Sequence, residues 1–500
     1  MSRRELLCFC VVLLVGTRVV AEEMAAGTVF LDANQNGLRD AHERGIPNVR
    51  VSNGRDVSLT DAQGRYRVMV EDGTVLFVIK PRDYGLPVDE DQLPKFYYVH
   101  RPQGSPSELK YPGIEPTGEL PAAIDFPLYE SPESDEFDVI VLGDPQPREM
   151  ADVDALAEDV VPELLNTKAA FTVAVGDVVY DRLDLYEPLN QALATTGLPF
   201  FPVAGNHDLN EDVPNDSLSN ETWKRIYGPT DYSFDWGAVH FIVLENVVYR
   251  GEGKGYNGGV NDRQLRFIRN DLALVPRDQL IVILMHIPLR NTRRSADLLK
   301  LFENRPHTLS FAGHTHDLEH RFLDSKSGWP NKEPHHHVIA GALCGMSWGQ
   351  VHDELGVPTT ITSCGSPNGY VIATFKGNKY SLRFKAPRRP SDEQMRIHVP
   401  SSITTDEATR TAVVANVFFG SRRSRTEMRI DSGPWTVMEQ RRRKDPYLVA
   451  RGGHSTDVDH FWVATLPKAL SIGTHVIRVR TVDMFGQRYE GARLIRVAER

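Results

Sequence analysis

Cysteine is scarce in this sequence, with four in 500 residues. That excludes a small scaffold stapled by disulfides. Basic charge is not in excess either. Lys and Arg number 57 against 67 Asp and Glu, a net charge of −10. A mildly acidic chain of this kind is no general nucleic-acid binder, and it carries no nucleic-acid-binding module. Internal repeats and low-complexity segments are missing. With 41% hydrophobic and 25% charged residues the composition is that of an ordinary globular protein. Disorder, a collagen-like fibre and a polytopic membrane protein are thereby excluded, and the length suggests about three domains.

The N-terminus reads as an address. Residues 1–21 hold Arg3 and Arg4, an apolar stretch from Leu6 to Val15, and Ala21 before an expected cut. That is the pattern of a secretory signal peptide, and its apolar run is too short to span a bilayer comfortably. Ser2–Leu7 also resembles a twin-arginine export signal, so both a Sec and a twin-arginine route stay open. Either places the mature protein outside the cytoplasm, periplasmic or secreted, with no transmembrane helix. Cys8 and Cys10 leave with the peptide. Cys344 and Cys364 remain, as a bridge or as two buried thiols.

Three textures follow. Residues 24–130 contain short β-like runs, such as Tyr66–Val70 and Val75–Ile79, then a proline-crowded connection. Residues 131–390 alternate apolar strands with amphipathic segments, among them Asp154–Leu165 and Gln264–Leu274, each expected as a helix. Residues 391–500 return to strands, with Ala412–Phe419, His460–Thr465 and His475–Val482. The expected class is α+β, a layered central domain between two small β-sandwiches.

Five polar runs stand in the central part. They are Gly143-Asp144-Pro145-Gln146, Gly176-Asp177 through Asp181, Gly205-Asn206-His207-Asp208, His286-Ile287-Pro288 and Gly313-His314-Thr315-His316. Each follows an apolar strand: Val139–Leu142, Phe171–Val175, Phe200–Ala204, Leu280–Leu284 and Thr308–Phe311. Strand ends of a layered α/β domain converge on one edge, where ligands bind. Glycine before four of the runs lets the chain turn sharply. Oxygen and imidazole donors without thiolate suit first-row divalent metals.

These five runs resemble the signature of the calcineurin-like metallophosphoesterase superfamily. The resemblance implies a four-layer αββα domain and a dinuclear centre of Mn, Fe or Zn that hydrolyses phosphate mono- or diesters through a hydroxide between the metals. By position, Asp177 would bridge the metals. Asp144 and His316 would bind the first, and Asn206, His286 and His314 the second. His207 would protonate the leaving group, with Asp208 fixing its orientation. Gln146 stands where the pattern usually has His, so it is either a harder oxygen ligand or a supporting residue. The alternative reading of the whole is a non-catalytic surface or glycan-binding protein on a degenerate phosphatase fold.

The flanks add further expectations. Asp32, Asn34, Asn36, Leu38 (through its carbonyl), Asp40 and Glu43 fit the spacing of a twelve-residue calcium loop, with Gly37 at its turn. The surrounding stretch resembles the small calcium-binding β-sandwich repeats of bacterial surface proteins, whose calcium is structural. The order sandwich, phosphoesterase, sandwich resembles an exported bacterial subfamily, carried by Gly345–Trp348, Ser366–Tyr370, Gly473–Arg480 and Asp483–Gly486. Arg148, Tyr256, Asn257, Trp348 and Asn368 are candidates for the substrate rim. His335–His337 is expected at the surface or behind the metal ligands. Residues 401–500 hold seventeen Lys and Arg against eleven Asp and Glu. That surplus, clustered at Arg422, Arg423, Arg425 and Arg441–Lys444, reads either as a solvated strand face or as a surface that docks to an anionic envelope. A phosphorylated glycan or lipid would then be a fitting substrate.

Overall fold

The computed structural model describes residues 22–348, 351–354, 356–468 and 470–499. The expected signal peptide, with Cys8 and Cys10, lies outside the described residues. No helix among the described residues is long and apolar enough to cross a membrane.

Two sheets form the centre. The first runs in the order Phe200–Val203, Phe171–Val175, Glu136–Leu142, Tyr370–Lys376, Lys379–Lys385. Its first three strands are parallel and the last two antiparallel. The second runs Tyr232–Trp236, Val239–Leu244, Leu280–Met285, Thr308–Ala312, His335–Ala340, Leu318–Leu323, parallel inside and antiparallel at both edges. The two-residue period of a strand sorts the side chains between layers. Val139 and Val141 join the core shared with the second sheet, whereas Ile140 and Leu142 pack with Val153, Leu156 and Leu189 of the outer helices. Phe171 anchors the space between the sheets. Its ring centroid lies 5.3 Å from that of Phe241 and 5.5 Å from that of Phe234. Helix Asp262–Leu272 covers the second sheet through Leu265, Ile268 and Leu272, and its Asn261 and Gln264 complete a capping box. The result is the four-layer αββα arrangement.

One expected helix is two. Met150–Asp159 and Val161–Leu164 are separate because Pro162 has no N–H to continue the first. The His335–His337 run is also not at the surface. All three residues are buried in the second sheet, where Thr308 and Ser310 bond His335, Ser310 bonds His337, and Tyr380 and His320 bond His336.

On the N-terminal side two four-stranded sheets hold Glu23–Leu31 and Arg65–Val70 in one and Arg50–Ser52 and Thr74–Ile79 in the other. On the C-terminal side a four-stranded sheet and a five-stranded sheet enclose Val413, Met428, Trp462, Ile477, Val479 and Ile495. The two expected basic clusters there are partly spent on packing. Arg423 lies 3.8 Å over the Phe322 ring, and Arg442 stands 3.5 Å from Glu319.

A buried charge network ties the N-terminal sandwich to the second sheet. Arg50 bonds Asp235 and, at 2.7 Å, Asp271, and His240 bridges the same two carboxylates at 2.7 and 2.9 Å. Burial opposes charge on Asp235 and Asp271, but Arg50 and His240 outweigh it and hold both carboxyls below the usual range. Depressed carboxyl pKa values contribute stability that is present above the unfolded value and lost as the pH falls below about 4. Arg50→Ala leaves two buried carboxylates short of a partner and should destabilise the fold by about 3 kcal/mol. Urea unfolding at neutral pH checks this, and a loss under about 1 kcal/mol contradicts it.

Candidate metal centre

The five polar turns meet at one edge, between the carboxyl ends of the two sheets. Asp144 follows Glu136–Leu142, and its carboxylate accepts the His314 N–H at 2.9 Å. Asp177 follows Phe171–Val175, and its Oδ1 accepts the His207 N–H at 2.9 Å. His286 follows Leu280–Met285, and its Nδ1 donates to the Val175 carbonyl at 2.9 Å. That bond directs the Nε2 lone pair toward Asn206 Oδ1 at 3.0 Å and Asp177 Oδ1 at 3.2 Å. Three acceptor atoms thus face one another, and a cation or a proton must lie between them. The ring answers this electrostatically. Burial disfavours the charged form, yet Asp177 and Asp144 outweigh it and lift His286 to about 9. Ligand atoms of Asp177, His286 and His314 all lie within 4.8 Å of one another. Burial and His286 together push His314 down to about 4, which keeps its imidazole neutral and able to coordinate.

A second group stands beside the first. His316 donates from Nδ1 to the Gly345 carbonyl at 2.7 Å, and its Nε2 lies 3.8 Å from Asp144 Oδ1. Burial raises the Asp144 carboxyl to about 6. Gln146 lines the same space. Its amide nitrogen is 3.3 Å from Asp177 Oδ2, and its Oε1 accepts the Cys344 thiol at 3.3 Å. Cys344 and Cys364 are both free buried thiols, so the bridge left open by the sequence does not form.

The backbone is bent to make these approaches. Asp144, Gln146, Asp177, His314 and His316 all adopt positive φ, from 36° to 71°, a region that non-glycine residues rarely enter. Gly176, at φ 93°, could carry no side chain, since a Cβ there would lie 2.2 Å from the His286 ring. A Cβ at Gly313 would lie 2.5 Å from the Asp144 carboxylate.

Two supports come from outside the five runs. Asn246 Oδ1 accepts the N–H groups of His286 and Ile287 at 3.2 and 2.9 Å. Ser363 holds the His316 carbonyl through its N–H at 3.2 Å and its hydroxyl at 3.0 Å. Thr456 of the C-terminal sandwich bonds Asp317 and donates its N–H to Ser363 at 3.0 Å.

The pairing expected for His207 is corrected. Its Nδ1 meets Asp181 Oδ1 at 2.7 Å, and its ring stacks on Tyr180 with centroids 4.0 Å apart. Asp208 does not bond the imidazole. Its buried carboxylate accepts from the backbone N–H groups of Gly205, Val178 and Val179 at 2.8–3.1 Å and from the Tyr186 hydroxyl. It ties two turns together instead. Neighbouring side chains on a tight turn point apart, so adjacency in sequence misled.

The rim expectations divide. Tyr256 is half-buried, with its ring centroid 6.0 Å from that of His314, and Asn257 follows it on strand Tyr256–Gly259. Arg148 reaches Asp152 at 2.9 Å and the Trp348 carbonyl at 2.6 Å. Trp348 and Asn368 are not on a rim. Trp348 is buried and donates to the Pro145 carbonyl at 2.7 Å, propping the turn that bears Asp144. Asn368 is buried on Asp159 and the Leu343 carbonyl.

A separate group of oxygens lies in the N-terminal sandwich. Asp32 accepts the N–H groups of Asn36 and Gly37 at 3.1 and 2.8 Å, and Glu43 accepts those of Ala33 and Asp40 at 2.9 and 3.0 Å. Asn34 and Asn36 both bond Asp40, Leu38 donates its N–H to Asn36 Oδ1, and ligand atoms of Asp40, His42 and Glu43 lie within 4.8 Å of one another.

Residues 137–318 match the family model for calcineurin-like phosphoesterases. Residues 33–112 and 337–489 match the models for the N-terminal and C-terminal parts of such proteins. Among curated proteins no sequence matches. One solved structure with a likeness is purple acid phosphatase PPD1 from yellow lupin (Lupinus luteus) seeds, at 15% identity and TM-score 0.36. The match covers 74% of this chain and 64% of that one.

His207 titrates under opposed influences. Burial lowers its pKa, but Asp181 and Asp177 outweigh burial and raise it above the ordinary value. In chelator-treated protein, Asp181→Asn should move the His207 titration midpoint to lower pH, followed by NMR of the imidazole. An unchanged midpoint contradicts the pairing.

Proposed function

This chain belongs to the calcineurin-like phosphoesterase family, and on that premise we propose that it hydrolyses phosphate mono- or diesters at a dinuclear metal centre. The observation that carries the reading is the convergence of Asp177, His286 and Asn206 on one point through acceptor atoms alone. A donor set of carboxylate, amide oxygen and neutral imidazole fits Mn, Fe or Zn. Asp177 would be shared between two ions. Asp144 and His316 would complete one site, with Gln146 beside it, and Asn206, His286 and His314 the other. Such ions, when bound, neutralise phosphoryl oxygens and lower the pKa of bound water.

The chain's own residues have distinct tasks in this reading. Val175 and Gly345 fix the tautomers of His286 and His316 by accepting from their Nδ1 atoms. His207 keeps its Nδ1 on Asp181, which leaves Nε2 free to carry a proton. That proton would pass to the oxygen of the departing alcohol, a general-acid step that a neighbouring carboxylate assists. Tyr256, Asn257 and Arg148 would meet the rest of the substrate.

We also propose a structural calcium ion in the Asp32–Glu43 loop and export of the mature chain. The loop's oxygens are hard donors at the spacing calcium prefers, though strand Glu23–Leu31 precedes it where an EF-hand has a helix. Export rests on the pattern of residues 1–21. Calcium removal with EGTA should lower Tm, and Glu43→Gln should abolish that response. A Tm indifferent to EGTA contradicts the calcium reading.

The function itself is tested with aryl monoester, aryl diester, nucleotide and sugar-phosphate substrates on protein of measured metal content. Wild-type protein should turn over at least one class. Asp177→Asn and His207→Asn should lose about 100-fold or more in kcat. Wild-type rates in both variants contradict the assignment.

A further inference from the structure

The basic surplus of the C-terminal module does not gather where the sequence groups it. Arg422 and Arg423 lie over the Phe322 ring at 5.0 and 3.8 Å, and Arg441 and Arg442 stand 2.7 and 3.5 Å from Glu439 and Glu319. The register of the five-stranded sheet assembles a different surface. Arg425 opposes Val482, which opposes Arg488. Glu427 opposes Arg480 and then Glu490, and Arg429 opposes Arg478 and then Ala492. Thr474 opposes Arg496. Directly opposed residues share a face of a sheet. The alternate positions, Met428, Ile477, Val479, Ile495 and Val497, fill the core of the sandwich. The face turned away from that core therefore carries six arginines and two glutamates on strands Arg425–Ile430, Gly473–Val482 and Arg488–Ala498. None of these eight side chains is buried.

The two glutamates answer half of the positive charge. Arg425 and Arg480 share Glu427 at 2.8 Å each, and Arg478 reaches Glu490 at 3.5 Å. Among the described residues Arg429, Arg488 and Arg496 have no carboxylate within 4.0 Å. Apolar side chains stand beside these cations on the same face. Val437, opposite Glu427 on the edge strand, and Leu494, opposite Val476, are each 61% exposed. The Trp435 ring lies 4.6 Å from the Arg429 guanidinium and 4.1 Å from that of Arg480. Arg429 also borders a largely apolar cleft of about 480 Å³ walled by Met428, Ile430, Pro467 and Leu470.

We propose that this face rests on an anionic phospholipid bilayer, its arginines on the headgroup phosphates and Leu494 and Val437 at the boundary with the acyl chains. The charge is complementary, and it is carried by guanidinium groups, whose paired donors match phosphate oxygens. A soluble anionic polymer would satisfy the arginines but would leave the exposed aliphatic side chains in water. A bilayer meets both, since its phosphates overlie an apolar layer within reach of a side chain. The proposal is independent of the chemistry at the metal centre.

Co-sedimentation of the full chain with vesicles tests it, using phosphatidylcholine alone and phosphatidylcholine mixed with phosphatidylglycerol. The mixed vesicles should bind at least about tenfold more tightly, and added salt should weaken that binding. Arg488→Gln with Arg496→Gln should lower the affinity for mixed vesicles about tenfold or more. Arg441→Gln with Arg443→Gln removes the same charge away from this face and should leave it unchanged. Leu494→Ser, at an exposed position, should weaken binding about threefold. Equal binding to both kinds of vesicle overturns the proposal, and so do equal losses in the two double variants. Full binding by Leu494→Ser also overturns it, because a partner that ignores the aliphatic side chain is an anionic polymer and not a bilayer.

Discussion

Three lone pairs face one another at the centre of this protein. His286 Nε2 lies 3.0 Å from Asn206 Oδ1 and 3.2 Å from Asp177 Oδ1, and the other nitrogen of His286 is already committed to a backbone carbonyl. Acceptors so arranged repel unless positive charge sits among them. The protein resolves this with a proton when the ring is charged, and a metal ion is the natural replacement. Much of the surrounding structure serves to hold these atoms in a position they would otherwise leave.

That holding is visible in the backbone. Five residues of the centre adopt left-handed conformations, and strain of this kind persists only where the surroundings over-determine it. The surroundings here are specific. Asp208 gathers three N–H groups from two turns, Asn246 fixes the start of the His286 turn, and Trp348 props the turn of Asp144. The C-terminal sandwich takes part through Thr456, which bonds Asp317 and Ser363, and Ser363 in turn grips the carbonyl of His316. The flanking module is therefore part of the scaffold of the centre as well as an appendage to it.

The sequence made the central sheets and five turns legible because their signals are local. An apolar β-run followed by glycine and a polar residue needs no partner to be recognised, and strand Phe171–Val175 falls where its pattern ends. What escaped depends on contacts between distant residues. Asp181 was inside a recognised run, yet its partnership with His207 follows from how two turns stack. Trp348 and Asn368 lie in a glycine- and proline-rich stretch that reads equally well as rim or buttress, and only burial separates these. His335–His337 became a core element because Thr308 and Ser310 on the adjoining strand satisfy the rings of His335 and His337, and His320 and Tyr380 satisfy that of His336. Arg50, Asp235, Asp271 and His240 left no pattern at all, since their spacing along the chain is irregular.

The position of bound metal is the most direct test of the centre. Anomalous diffraction from crystals grown with manganese, recorded on both sides of its absorption edge, tests it. Two peaks are predicted, one beside Asp144 and His316 and one beside Asn206, His286 and His314, with Asp177 reaching both. An absence of peaks at this edge under saturating metal, or a single peak that no Asp177 oxygen touches, would contradict it.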